Sequence, residues 1–384
     1  MLSSFHVAWY QLSHQRVKLA VAAAGVVVAV MLMLVQLGIR QGAIDNSVAV
    51  VRRINADLVV VSPRTKTIFQ ASTFPRRLLY RLPASPSVER VQEMYMAQAK
   101  FRNPWDRREF PITAYGLDPR NPMMDLPGFH EHYEMLQLPD RAVFDSLGRK
   151  TYGPVAEHIH TVGPLSTEVN YRKIELIDTI EVGISINTDG NIYMSPANFL
   201  RLFPDRPPGA IDIGLVRLKR EVDPEAACEE LRPLLGSEAR IFTQQQLLQA
   251  EVDYLRQAHP LDFIFGMGAA VGFFIGFVVV YQILYTEVTN HLPHFATMKA
   301  MGFSDGFLMR VVLSQALMLS LLGFFPGFLL ALAVYAIAEN AIQMPFVMTW
   351  RRAIGVLLLT LIMCGMSGLI AVRKARTADP ADVF

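Results

Sequence analysis

The sequence predicts an α-helical membrane protein with one apolar helix, a large α+β extramembrane domain, and then three more apolar helices. Three observations predict it. The stretches 19–39, 263–286, 311–338 and 353–372 contain no Asp, Glu, Lys, Arg or His. Each reaches the roughly 20 residues that a helix needs to cross ~30 Å of hydrocarbon. Between the first and second lies a charged segment, 40–260, of domain size and punctuated by proline and glycine.

Averages conceal this division. The chain is 52% hydrophobic and 18% charged, with a mean hydropathy of +0.28. The charges concentrate in the middle and the apolar residues at the ends. A net charge of +2 without a basic run gives no footprint for nucleic acid. Cys228 falls in the middle segment and Cys364 in the last apolar stretch, so they are expected in different compartments and unpaired.

Residues 1–18 set Phe5, Trp9 and Leu12 at helical spacing, as in a short amphipathic helix at the interface. Arg16 and Lys18 before 19–39 resemble the basic start of a signal peptide. However, the apolar run is too long, and no small-x-small cleavage pattern follows it, so an uncleaved first span is expected.

Within 40–260, strand signals lie over 57–62 (DLVVVS), 90–96, 111–116, 173–180 and 211–218. Helices are expected over 223–235, with Asp223 as N-cap and Pro224 in the first turn, and over 243–257, running toward the second span. His130 and His132, like His158 and His160, are spaced to share one face of a strand if strands form there. A metal site needs further ligands, so surface or interface histidines are the expected outcome.

The second span, 263–286, carries Gly268, Gly272 and Gly276, which line one helical face and permit close approach of another helix. Whether that partner belongs to this chain or to a second copy is open at this stage. In the third span, 311–338, Gly323, Pro326 and Gly327 predict a kink. The fourth span, 353–372, leads to a short tail, 373–384. Basic residues Arg16, Lys18, Arg373, Lys374 and Arg376 favour cytoplasmic termini, partly offset by Arg351 and Arg352 on the opposite side.

The loop 287–310 is too short for a domain and holds one short helix between Pro293 and Gly302. Phe295, Met298 and Met301 give it an apolar face, and Lys299 complements its dipole. Such a helix suits a groove on a partner, the plainer reading being an interfacial cap on the bundle. No G-x-x-x-x-G-K-[ST], G-x-S-x-G or H-E-x-x-H pattern occurs, and no Asp, Glu, Lys, Arg or His lies inside the spans. A catalytic chain and an ion-coupled transporter are both disfavoured.

The stretch 281–304 (YQILYTEVTNHLPHFATMKAMGFS) resembles the coupling segment of FtsX/MacB-type permeases of ABC transporters, ending in their K/R-A-x-G pattern. Segments 8–40, 56–63, 314–327 and 376–384 (RTADPADVF) are similar to the DevC family in particular, while 119–169 matches no motif. The resemblance implies a four-span inner-membrane subunit working as a homodimer, with residues 40–260 periplasmic and both termini cytoplasmic. It implies that ATP and Mg are bound by a separate, DevA-like ABC ATPase, so this chain carries no cofactor of its own. Pro293, Phe295, Ala296, Thr297, Met298 and Lys299 are its expected ATPase-contacting helix. Further implied partners are a HlyD-type, DevB-like periplasmic adaptor, a TolC-like outer-membrane channel and membrane lipid. The implied cargo is a lipid, glycolipid or other amphiphile. Two alternatives share the plan: an FtsX-like mechanotransmitter that activates a cell-wall hydrolase, and a LolC-like lipoprotein extractor.

Overall fold

A computed structural model describes residues 16–185, 188–290, 305–342 and 346–376. The chain divides into two compact units, Ala43–His259 and the membrane-helix unit formed by the segments on either side.

In Ala43–His259 the apolar β-branched runs build a nine-stranded sheet of order β11-β1-β10-β3-β4-β8-β5-β7-β6. Its strands are β1 (Leu58–Val61), β3 (Val88–Arg102), β4 (Glu109–Gly116), β5 (Arg141–Asp145), β6 (Leu165–Val169), β7 (Arg172–Ile180), β8 (Asn191–Met194), β10 (Ile213–Leu218) and β11 (Arg240–Thr243). A separate ribbon pairs β2 (Phe74–Pro75) with β9 (Ala210–Ile211). Every residue of β1 is buried, which explains its continuous LVVV run: both faces meet core. Strand β3 is the shared element. Its first half pairs with β10 and its second with β4, and its last two residues meet β6, so the second half of the sheet returns on itself. Arg102 Nη1 reinforces that closure with a 2.6 Å bond to Glu168 Oε2.

Two cores fill the unit. In one, Phe101 meets the Tyr152 ring edge-on at 5.3 Å; in the other, Tyr115 stacks on Tyr193 at 4.9 Å. The helix expected over 223–235 is Pro224–Leu235, with Asp223 Oδ2 accepting from Ala226 N at 2.9 Å. The one expected over 243–257 is Gln244–Ala258, closed by a reciprocal cap between Thr243 and Gln246.

The histidine pairs do not lie on strands. His130 and His132 sit in the 3-10 turn Phe129–His132, and His158 and His160 in the helix Val155–Thr161. Residues two apart on a helix point roughly 200° apart, so neither pair converges. His132 instead lies 3.4 Å from Asp178, His158 packs edge-on against Trp105, and His160 bonds Thr179 at 3.0 Å.

Among the described residues, four helices are long and apolar enough to cross a membrane: Arg16–Ser47, Leu261–Asn290, Asp305–Ile342 and Trp350–Arg376. Each overruns its charge-free stretch, because helical hydrogen bonding continues until a cap or break stops it, not where hydrophobicity ends. The third runs unbroken through Pro326.

Candidate functional site

Small residues decide how the membrane helices meet. Gly268, Gly272 and Gly276 all face the first span. A Cβ on Gly268 would stand 2.6 Å from Gln36 Cδ, on Gly272 3.2 Å from Leu32 Cβ, and on Gly276 2.6 Å from both Ala29 Cβ and Met363 Sδ. Their partner is therefore the first span of the same chain. Gly323 and Gly327 of the third span face that same helix: a Cβ on Gly327 would sit 2.8 Å from Val27 O and 2.9 Å from Val30 Cβ. Gly25 and Gly38 reciprocate toward Val279 and Tyr335. The first span is thus a hub against which the second and third pack through glycine, backbone close to backbone. Buried Val26, Val30, Met33, Val280, Leu319 and Met363 fill the space between the helices.

At one end of the bundle, polar contacts bind the helices together. Arg40 Nε donates to Asp262 Oδ1 at 2.6 Å, linking the first and second spans. Tyr335 Oη donates to Leu34 O, and Arg352 Nη1 reaches both Tyr335 Oη at 3.3 Å and Val347 O at 3.2 Å, tying in the third and fourth. Arg352, read from sequence as a topology signal, is therefore also a structural donor. Midway, Ser367 Oγ donates to Phe277 O at 3.0 Å, a bond between the fourth and second spans.

At the opposite end, Val288, Val312 and Val372, one from each of the last three spans, form a small apolar cluster. Gly368 allows the fourth span to approach Ala316, Val312 and Leu284 at 3.5–3.6 Å. Three helices thus pack together at the end from which segment 291–304 continues in sequence. That segment's expected contact residues, Pro293, Phe295, Ala296, Thr297, Met298 and Lys299, lie outside the described residues.

Sequence reasoning found the glycine face of the second span but missed the first span as its partner. The signal was present as Ala22, Gly25 and Ala29, small residues three or four apart, of which both alanines are wholly buried. Outward faces carry exposed Phe263, Phe274, Phe325, Leu329 and Ile337, as lipid-facing helices should. Among the described residues no group of three His, Cys, Asp or Glu is placed to hold a metal.

A family model described as "FtsX-like permease C-terminal" matches residues 266–380, which include most of the second span, the segment after it and the third and fourth spans. Among curated proteins, the pyoverdine export ATP-binding/permease protein PvdT of Pseudomonas putida is 29% identical over 199 residues, 50% of this chain and 30% of that protein. Its counterpart from Pseudomonas syringae pv. tomato is 27% identical over 184 residues, 47% of this chain and 27% of that protein. The chain thus spans under a third of the length of these relatives. Among solved structures, the periplasmic region of MacB from Actinobacillus actinomycetemcomitans aligns at 12% identity and TM-score 0.37, covering 52% of this chain and 94% of that one. The extracellular domain of the transporter YknZ from Gram-positive bacteria aligns at 12% and 0.34, covering 49% of this chain and all of that one. Likenesses that distant add no weight. The family match lies on the last three membrane-capable helices just described, and this part of the chain is similar to the C-terminal domain of FtsX-like permeases.

Proposed function

We propose that this chain is the permease, or membrane subunit, of a tripartite ABC exporter of the DevC kind, moving a lipid, glycolipid or other amphiphile. It resides in the inner membrane as a homodimer, with both termini cytoplasmic and Ala43–His259 in the periplasm. A separate ABC ATPase docks on segment 291–304 and supplies the nucleotide chemistry, as the likeness of 281–304 to a coupling segment implies. A HlyD-type adaptor and a TolC-like channel complete the path outward. The observation that carries this reading is the coupling-segment sequence 281–304 lying inside the matched permease region, continuing in sequence from the end at which three helices pack. The relatives' role in pyoverdine export supports an outward direction.

Phe295→Asp tests the docking half, because it sets a charge in the apolar face offered to the ATPase. The variant is expected to insert normally and to lose ATPase co-purification almost entirely; undiminished co-purification would remove the loop from the interface. Purification of the tagged protein from its host in mild detergent, with mass spectrometry of what accompanies it, tests the rest. An ATPase with a HlyD-like adaptor supports export, whereas an ATPase with a cell-wall hydrolase and no adaptor replaces it with the mechanotransmitter.

A further inference from the structure

The extramembrane unit holds a cleft of about 710 Å³ that plays no part in the membrane packing. Its lining includes apolar Phe69 and Ala71, Met96 and Ala97 of β3, and Leu202 and Phe203, beside polar residues. Arg206 and Asp212 lie against that surface. Asp212 is almost wholly buried, and its carboxylate is already engaged: Oδ2 accepts from Met96 N at 2.9 Å and Oδ1 from Arg206 Nη2. Arg206 is not so fully used. Its side chain is only 13% exposed, its guanidinium lies 5.2 Å from the Phe199 ring and 5.8 Å from that of Tyr95, and its buried Nε has no hydrogen-bond partner. A guanidinium carries five N–H donors that require oxygen acceptors. On the rim, Lys100 donates to Tyr171 Oη at 3.4 Å, while Asp205 is exposed.

We propose that this cleft binds an anionic amphiphile, its apolar chain on the Phe69, Met96 and Phe203 walls and its carboxylate or phosphate oxygens on Arg206. A bare apolar ligand would leave the guanidinium donors unsatisfied, and a small inorganic anion would leave the apolar walls wet. The wall is also connected. Thr67 Oγ1 and Ile68 N, immediately before Phe69, both donate at 2.7 Å to Glu251 on the helix Gln244–Ala258, the last element before the second span in sequence. Occupancy of the cleft therefore bears on that helix. Only the ligand's role as cargo rests on the export reading; binding is tested without transport.

The test is photolabelling of the full-length protein, in neutral maltoside detergent, with a diazirine derivative of hexadecanoic acid. The expected result is label on residues 69–71 and 202–207. Excess hexadecanoic acid or dioleoyl phosphatidate should reduce it by about tenfold or more; hexadecanol or inorganic phosphate should not. Stronger competition by phosphatidate assigns the oxyanion to a phospholipid head, and stronger competition by the acid assigns it to a carboxylate. Label confined to the membrane helices, or equal competition by hexadecanol, overturns the proposal. Arg206→Gln should lose the label, but it also strips Asp212 of its counter-charge. Ala97→Trp, which fills the cleft and leaves that pair intact, should lose it too. Retained labelling in a folded Ala97→Trp protein overturns the site. None of these failures touches ATPase co-purification, so the cleft and the exporter reading can fail separately.

Discussion

Two carboxylates in the extramembrane unit have opposite pH signatures. Asp140 stands in a left-handed backbone conformation (φ 61°) and accepts paired bonds from both Arg172 and Arg201 at 2.5–3.1 Å. Hydrogen bonds from Arg172 and Arg201 hold its carboxyl well below the usual carboxylate range. Its contribution is therefore complete above the ordinary aspartate value of about 3.9 and is lost as pH falls through the depressed folded value. Asp140→Asn should cost about 1–2 kcal/mol near neutrality, since partly exposed charge-assisted bonds keep only part of their strength. Melting curves of the full-length protein in detergent should show the gap to wild type narrowing as pH falls below about 4. A gap independent of pH would show that the charge is not what matters.

Glu251 has the reverse sign. Burial pushes its carboxyl up, against the opposing bonds from Thr67 and Ile68 N. Its contribution is fullest below the ordinary glutamate value of about 4.3 and declines as pH rises through the raised folded value. Glu251→Ala leaves a hydroxyl and an amide without an acceptor and should cost about 1–3 kcal/mol. Glu251→Gln can accept from Ile68 N and donate to Thr67, so the same melting measurement should place it much nearer wild type. Equal losses in both variants would mean that side-chain shape, rather than these bonds, is at stake. Neither site was legible in the sequence, where Asp140 and Glu251 resemble any other charge in a mixed segment. The partners that define them lie 32, 61, 183 and 184 positions away.

At the scale of elements, the packing glycines can be told from those that face open space. Gly327→Ala drives a methyl to 2.8 Å from the backbone oxygen of Val27, which cannot swing aside, so the first and third spans must separate. About 1–3 kcal/mol is the expected cost of such overpacking. Gly365→Ala is the control: a Cβ there meets nothing within 4 Å. Thermal unfolding in detergent should separate the two, and equal behaviour would refute the hub role of the first span. Helices were the most readable elements, because capping is local: Asp223 and Thr243 bond to residues three positions on. Strands β5, β6, β8 and β11 went unread, being four or five residues long and defined by pairing rather than by their own pattern. Strand β3 ran beyond its expected end at 96 to Arg102, because β4 continues to pair with it where alternation includes Lys100 and Arg102.

For the whole molecule, the chain passes between its two units twice, once within the helix Arg16–Ser47 and once at His259–Pro260. If the export cycle is a mechanical relay, a rigid connection is needed at both passages. Inserting four Gly/Ser residues between His259 and Pro260 should leave both units folded and the ATPase bound while export falls to background. Such an insertion is flexible and adds little to chain-closure entropy. Export at the wild-type level in that variant would rule out transmission through this passage.

From the residues alone came the four spans, the inserted domain and the likeness to FtsX/MacB permeases. All of these are local or periodic properties: apolar length, caps, helix-breaking residues and a short motif. Tertiary packing settled which helix the glycine face of the second span meets, how β3 joins two parts of one sheet, and which histidines converge on nothing. It also brought Arg206, Met96 and Phe69 to one cleft and tied that cleft's wall to Glu251. Those outcomes depend on contacts between residues far apart in the chain. They are selected by how shapes and charges fit after collapse, a property that no short window of sequence contains.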